Sequence, residues 1–164
     1  MNALRVIHPH AKILCGKNAP LFGKAMSTLK GRHFKSILDL SNEELVGLID
    51  HSIDMKQSWA KNPTASRAAK PLQGQSMSMI FQKRSTRTRV STETGIFMLG
   101  GHGLMLGPQD IQLGVNESLK DTAKVLCRFN DIILARVFAH SDIEELCEHS
   151  SVPGMYLFSQ ITMI

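Results

Sequence analysis

The sequence has few cysteines, few aromatic residues and no long apolar run, and each shortage excludes a class of protein. Its three cysteines, Cys15, Cys127 and Cys147, lie far apart and form no CxxC pair, so neither a disulfide framework nor a zinc site is predicted. Aromatic residues make up 5% of the chain, and none interleave with a basic segment as in nucleic-acid-binding proteins. No stretch approaches the roughly 18 apolar residues of a membrane-spanning helix. We therefore expect a globular chain with no nucleic acid, membrane or metal as partner.

Acidic residues are missing from the first 38 positions, which contain seven lysines and arginines; the first acid is Asp39. The rest of the chain has twelve basic and fourteen acidic residues, so the net charge of +5 belongs to the N-terminal segment. A basic, acid-free leader with small and apolar residues is typical of a mitochondrial transit peptide. We therefore predict a transit peptide over residues 1–28 and a location in the mitochondrial matrix. The alternative is a disordered basic extension.

Strands and helices are predicted to alternate from residue 77 onward. Apolar runs typical of buried strands occupy residues 77–81, 104–106 and 132–137, and helical patterns lie at 86–99, 118–129 and 141–149. A helix over 42–60, opened by the capping box Ser41–Glu44, precedes them, and 62–76 is predicted to be a polar loop. A second capping box, Ser141–Glu144, is predicted to open the last helix. Arg89 and Glu93, four residues apart, are predicted to form a structural pair on one helix face. This alternation predicts an α/β fold, a parallel sheet flanked by helices, with ligands beyond the carboxyl ends of its strands.

The segment that follows the first predicted strand concentrates hydroxyl and guanidinium groups. Ser85-Thr86-Arg87-Thr88-Arg89 comes shortly after the apolar run Met77–Phe81 and opens a helical pattern. Helix N-termini bind phosphate through free N–H groups, and Arg adds bidentate recognition of an oxyanion. A lone Ser-Thr-Arg is more often an ordinary helix cap. Five such residues in succession favour a phosphate-binding strand–turn–helix.

Several separated segments carry a resemblance to a known family, in matching order and spacing: Phe81–Gly95, Gly100–His102, Gln109–Gly114, Asn116–Ala123 and Ile133–Val137. From about Leu29 to Pro153 the chain resembles the aspartate/ornithine carbamoyltransferases. Lys83, before the Ser-Thr-Arg-Thr core, is typical of the ornithine branch, and as a whole the chain resembles the mitochondrial type of that branch. The resemblance implies a carbamoyl-phosphate-binding domain over residues 29–153. It also implies a homotrimeric transferase of arginine biosynthesis and the urea cycle, which makes citrulline and phosphate from carbamoyl phosphate and ornithine. No metal or organic cofactor is implied.

The resemblance also implies roles for individual residues. Arg87 and Arg136 would be the catalytic groups, the first at the departing phosphate and the second near the carbonyl. Gln112 would reach into the site of a neighbouring subunit. Without the resemblance, Arg136 reads equally well as a surface arginine at a strand end, and Gln112 as an ordinary loop residue. The full implied set of carbamoyl-phosphate ligands is Ser85, Thr86, Arg87, Thr88, Gln112 and Arg136.

The resemblance ends at Pro153. Residues 154–164 contain seven apolar residues and no charged one, so they are predicted to be a divergent, aggregation-prone tail. The family's ornithine-holding domain is expected to be missing, and the 164-residue chain is expected to be inactive alone. Three interpretations remain: an ornithine carbamoyltransferase represented in part, a non-catalytic carbamoyl-phosphate-binding or assembly module, or a carbamoyltransferase for aspartate or another amine.

Overall fold

A computed structural model describes residues 27–111 and 117–158 of the chain. A four-stranded parallel sheet in the order β2-β1-β3-β4 forms the centre. Its strands are β1 (Ser76–Phe81), β2 (His102–Leu106), β3 (Ile132–Val137) and β4 (Gly154–Phe158). The helices are α1 (Asn42–Lys61), α2 (Pro63–Ala69), α3 (Thr86–Met98), α4 (Leu119–Phe129) and α5 (His140–His149), with a 3-10 helix at Ile37–Asp39. The predicted α/β fold with a parallel sheet is confirmed.

Strand β1 is a central strand of the sheet, and nearly all of its residues are buried. Residues 77–81 are at most 4% exposed, and the strand pairs in parallel with β2 on one side and β3 on the other. A mostly apolar run, whose only polar residue between 77 and 81 is the small Ser78, suits a strand that is covered on both faces. The register places Phe81 opposite Arg136, so the ends of β1 and β3 are level.

Helices cover both faces of this sheet. On one face, α4 and α5 pack against strand residues in a cluster formed by Ile80, Ala123, Ile133, Ala135, Val137, Ile143, Leu146 and Tyr156. On the other face, Ile96 of α3 packs against a second cluster formed by Met77, Met79, Phe81 and Leu134. Each fully buried side chain of this size contributes about 1.5–3 kcal/mol relative to exposure. Within the described residues, no helix is both long and apolar enough to cross a bilayer.

The helix predicted over 42–60 is confirmed as α1, with its capping box. The Ser41 hydroxyl accepts a hydrogen bond from the Glu44 N–H at 3.2 Å, and the Glu44 carboxylate accepts from the Ser41 N–H at 2.9 Å. The same carboxylate accepts from the Thr28 hydroxyl at 2.6 Å and from Arg32 at 2.7 Å. Glu44 therefore links the segment before α1 to the start of that helix.

Two local predictions were wrong. Residues 62–76 are not simply a polar loop, because Asn62 caps α2 by accepting from the Ala65 N–H at 3.0 Å. Pro63 takes the first helical position, where its missing N–H costs nothing. The predicted capping box at Ser141 is absent: α5 begins at His140 without a side-chain cap, and Glu144 instead lies 3.9 Å from His140, one turn back on the same helix.

The predicted apolar tail contributes a strand to the sheet. Its first residues form β4, which pairs in parallel with β3 from Ile133 opposite Gly154 to Val137 opposite Phe158. An uncharged apolar run suits this position because it completes the second side of β3. The sheet therefore continues past Pro153. Residues 1–26, which make up almost all of the predicted transit peptide, lie outside the described residues. Residues 159–164 of the predicted tail also lie outside them.

Candidate functional site

The strand order creates a crevice at the carboxyl end of the sheet. From β1 the chain continues to β2 on one side, and β3 then joins β1 on the other. Parallel sheets bind ligands where the strand order reverses in this way, beyond the carboxyl ends of the strands. The segments that leave β1 and β3, residues 82–88 and 138–142, therefore start side by side at the expected ligand position.

The N-terminus of α3 faces this edge with its backbone donors unused by the helix. Ser85 is the N-cap residue, with extended backbone (φ −151°, ψ 107°) and no side-chain capping hydrogen bond. Its carbonyl accepts from the Arg89 N–H at 3.3 Å, so the first intrahelical bond is already in place. The N–H groups of Thr86, Arg87 and Thr88 precede that bond and have no intrahelical acceptor. Such a helix start offers several donors and a partial positive charge to an anion.

The same turn contains a positive charge that the protein does not neutralise. Four basic residues and no acidic one lie between Gln82 and Val90. Arg89 pairs with Glu93 at 3.3 Å, the same-helix pair predicted from their spacing. Within the part of the chain that the structure describes, the guanidinium groups of Arg84 and Arg87 form no ion pair. An exposed and unpaired positive cluster attracts multivalent anions.

Strand pairing brings Arg136 to the cationic turn at residues 83–88. It is half-buried at the end of β3, and its Nη1 lies 3.5 Å from the Arg84 carbonyl, at the limit of a hydrogen bond. The structure thus places Arg136 beside the turn that contains the sequence-predicted residues Ser85, Thr86, Arg87 and Thr88. Gln112, also predicted for the site, lies outside the described residues.

A cleft of about 910 Å³ opens on the β2 side of the first turn of α3. Ser85 and Thr86 line it, whereas Arg87, Thr88 and Arg136 do not. Asp110 closes the turn after β2 by accepting from the Gly107 N–H at 2.7 Å. The described lining residues are Arg84, Ser85, Thr86, Arg89, Val90, Glu93, Met105, Gly107, Pro108, Gln109 and Asp110. The cleft therefore lies on the side of α3 that faces β2.

Sequence reasoning missed Gln82, whose side chain joins the two segments at the crevice. Its Oε1 accepts from the Phe138 N–H at 2.7 Å, and its Nε2 donates to Asp142 Oδ2 at 3.3 Å. One signal was available: a polar residue directly after a buried strand, at the edge where ligands of parallel sheets bind. In the described residues, no group of three or more histidine, cysteine or acidic side chains is placed to hold a metal ion.

Comparison with known proteins places this arrangement in context. The chain is 42% identical over 149 residues to the chloroplastic ornithine carbamoyltransferase of Pisum sativum, covering 88% of this chain and 39% of the relative. It is 48% identical over 132 residues to the mitochondrial ornithine carbamoyltransferase of Aquarana catesbeiana, covering 80% of this chain and 37% of the relative. The chain thus spans about two fifths of the length of these relatives.

The fold matches solved structures over the same region. Ornithine carbamoyltransferase from Pyrococcus furiosus superposes with a TM-score of 0.71 at 41% identity, over 78% of this chain and 40% of that one. Residues 32–156 match the model of the aspartate/ornithine carbamoyltransferase carbamoyl-P binding domain, and those residues include both the α3 turn and Arg136. With its parallel sheet, its cationic helix start and these matches, the chain belongs to the aspartate/ornithine carbamoyltransferase family.

Proposed function

We propose that this chain is the carbamoyl-phosphate-binding part of an ornithine carbamoyltransferase, which forms citrulline and phosphate from carbamoyl phosphate and ornithine. The observation that carries the proposal is the uncapped, cationic N-terminus of α3 at the crevice between β1 and β3. A phosphate dianion needs several converging donors and an unneutralised positive charge, and this turn offers both. The relatives are ornithine carbamoyltransferases, which favours ornithine over aspartate as the amine substrate of the full-length enzyme.

The phosphate end of the substrate is assigned to the turn at residues 83–88, which we name the phosphate turn. The hydroxyls of Ser85, Thr86 and Thr88 and the N–H groups of the first helical turn would donate to the phosphate oxygens. Arg87 would form charge-assisted hydrogen bonds to the same group. As the C–O bond breaks, negative charge grows on the departing phosphate, and a cation already in position stabilises that charge without reorganisation. Arg87 is therefore assigned to both binding and leaving-group stabilisation.

The carbamoyl end of the substrate is assigned to Arg136. Attack by the ornithine δ-amine converts the planar carbonyl into a tetrahedral intermediate, and its oxygen gains negative charge. A guanidinium beside that oxygen lowers the barrier because it interacts more strongly with the intermediate than with the ground state. Arg136 lies at the β3 side of the turn, with its Nη1 3.5 Å from the Arg84 carbonyl. No metal or organic cofactor is needed for these steps.

The proposal also includes an oligomeric state and a cellular location. We assign Gln112 to the site of a neighbouring subunit in a homotrimer, on the basis of its matching position in the family motif. The acid-free leader supports import into the mitochondrial matrix, where the reaction would serve arginine biosynthesis or the urea cycle. Relatives include mitochondrial, chloroplastic and bacterial proteins, so import of a fusion with residues 1–28 tests the location directly.

Calorimetric titration of carbamoyl phosphate into the 164-residue chain tests the binding assignment. We expect saturable binding that the Arg87→Ala variant weakens by about 10- to 100-fold, the usual value of a hydrogen bond to a charged group. Arg128→Ala is the matched control, because Arg128 is an exposed arginine in the last turn of α4, far along the chain from the turn. Equal affinity of Arg87→Ala and the unmodified chain would remove Arg87 from the site. Binding without any activity in a full-length context would favour the non-catalytic module.

A further inference from the structure

The backbone pairing of β1 and β3 stops at Gln82. The side chain of Gln82, instead of its main-chain carbonyl, accepts the next hydrogen bond from β3. Phe81 is opposite Arg136, so Val137 would be the register partner of Gln82. In a parallel ladder, Gln82 would donate its N–H to the Arg136 carbonyl and accept from the Phe138 N–H through its main-chain carbonyl. The first bond is present at 3.0 Å. The second is made instead by the side-chain Oε1, at 2.7 Å from the Phe138 nitrogen.

This exchange lets the backbone leave the sheet without losing contact with β3. A main-chain acceptor would hold Gln82 in the plane of the sheet, whereas a side-chain acceptor spans the gap while the chain turns toward Ser85. The exposed Phe138 N–H keeps an acceptor within the protein. The crevice between the two strands is thus opened and bridged by the same residue.

The other end of the amide connects to α5. Gln82 Nε2 donates to Asp142 Oδ2 at 3.3 Å, and this contact is part-buried. Asp142 lies in the first turn of α5, the helix that follows the segment leaving β3. One neutral side chain therefore contacts both ends of the segment 138–142: the backbone of Phe138 and the Asp142 carboxylate at the start of α5. The backbone of Gln82 itself leads into the phosphate turn.

We propose that Gln82 is a positioning residue: its amide sets the distance between Arg136 and the phosphate turn, so that the site recognises the carbamoyl group as well as the phosphate. The proposal rests on the proposed function and adds a determinant of substrate selectivity to it. The phosphate donors lie on α3 and do not depend on the Gln82 side chain. Recognition of the carbamoyl group depends on Arg136, whose strand end is held by the Gln82 amide.

The positioning role predicts a selective defect rather than a general one. Loss of the amide bridge would let the β3 segment move relative to the turn, so affinity for carbamoyl phosphate falls while affinity for inorganic phosphate is retained. A merely structural role would weaken both ligands together, because both need a folded α3. The ratio of the two dissociation constants therefore separates the two roles.

The test titrates inorganic phosphate and freshly dissolved carbamoyl phosphate separately into the 164-residue chain and its variants. Gln82→Glu places a second carboxylate beside Asp142, and we expect it to reduce the preference for carbamoyl phosphate by about three- to tenfold, as for a lost hydrogen bond. In the double variant Gln82→Glu with Asp142→Asn, the new amide can donate to the new carboxylate, so the preference is expected to return. Glu148→Gln removes an exposed carboxylate from the same helix and is the matched control.

Each outcome decides the proposal. An unchanged preference in Gln82→Glu, or an equal loss for both ligands, would overturn the positioning role and leave the binding assignment standing. No binding of carbamoyl phosphate by the unmodified chain would overturn both. If circular dichroism shows that Gln82→Glu does not fold, Gln82→Asn replaces it, since its shorter neutral side chain withdraws the amide from the Phe138 N–H by one methylene. A selective loss in that variant supports the role, and an unchanged preference rejects it.

Discussion

At the scale of single residues, Glu44 combines helix capping with a tertiary contact. Its carboxylate is bound by the Thr28 hydroxyl, the Ser41 N–H and the Arg32 guanidinium. The hydrogen bond from Thr28, followed by that from Ser41, lowers the pKa of Glu44 below its usual value of 4.5. A lowered pKa means that the unfolded chain binds the proton more readily, so folding stability falls as the pH drops through the folded-state pKa.

Replacement of Glu44 by Gln is expected to lower stability at pH 7 and to flatten the acid dependence. The neutral amide loses the ion pair with Arg32 and part of the cap, and it no longer titrates. Urea unfolding midpoints measured between pH 7 and pH 3 check this. The unmodified chain should lose stability below about pH 4.5 more steeply than Glu44→Gln. Glu148→Gln should keep the steep dependence; a Glu44→Gln profile parallel to the unmodified one would contradict the account.

At the scale of secondary-structure elements, the start of α3 lacks the side-chain cap that its sequence would allow. Ser85 has the residue type and extended backbone of a good N-cap, yet its hydroxyl makes no capping bond. By contrast, Ser41 and Ser118 cap their helices by accepting from Glu44 and Asp121. A helix start that leaves its donors open forgoes about 1 kcal/mol of capping stability. The phosphate of the substrate would supply the missing acceptors.

Two substitutions at Thr86 are expected to separate its hydroxyl from its backbone donor. Thr86→Ala removes the hydroxyl alone, whereas Thr86→Pro also removes the N–H at the first helical position, where proline is compatible with the helix. We expect Thr86→Pro to bind inorganic phosphate more weakly than Thr86→Ala, by about three- to tenfold, at similar thermal stability. Titration calorimetry and melting curves provide both values. Equal phosphate affinity would show that this N–H does not contact the ligand.

Most elements could be predicted from the sequence, because their signals are local. Strand β3 was predicted at its observed bounds, and α1 differs by one residue at its end. Helix α2 was missed because Asn62-Pro63 is both a stop signal for one helix and a start signal for the next. Strand β4 was missed because an uncharged apolar run is equally compatible with a tail until β3 is seen to offer it an edge.

At the scale of the whole molecule, the chain matches about two fifths of its relatives. In the proposed function, the residues assigned to the site would contact carbamoyl phosphate alone. An enzyme gains several kcal/mol of barrier reduction by holding both reactants together. We therefore expect the residues that hold ornithine to lie in the part of the relatives that this chain does not match.

A polypeptide of these 164 residues is accordingly expected to bind carbamoyl phosphate and to form no citrulline. A colorimetric citrulline assay at saturating carbamoyl phosphate and ornithine provides the measurement. The full-length ornithine carbamoyltransferase of Coccidioides immitis, 45% identical over the matched region, is the positive control. Citrulline formed by the 164-residue polypeptide above the uncatalysed rate would show that the residues present also hold the amine.

The sequence by itself determined the fold class and the family, and it predicted the cationic turn after β1, because apolar periodicity and a contiguous motif are local properties of the chain. Only the tertiary structure decided that Arg136 lies beside that turn, since 52 positions separate it from its contact at Arg84 and parallel strands are paired by long-range packing. The bridging role of Gln82 likewise became visible only there. A hydrogen bond across 56 positions to Phe138 depends on the register of β1 and β3, which no local pattern specifies.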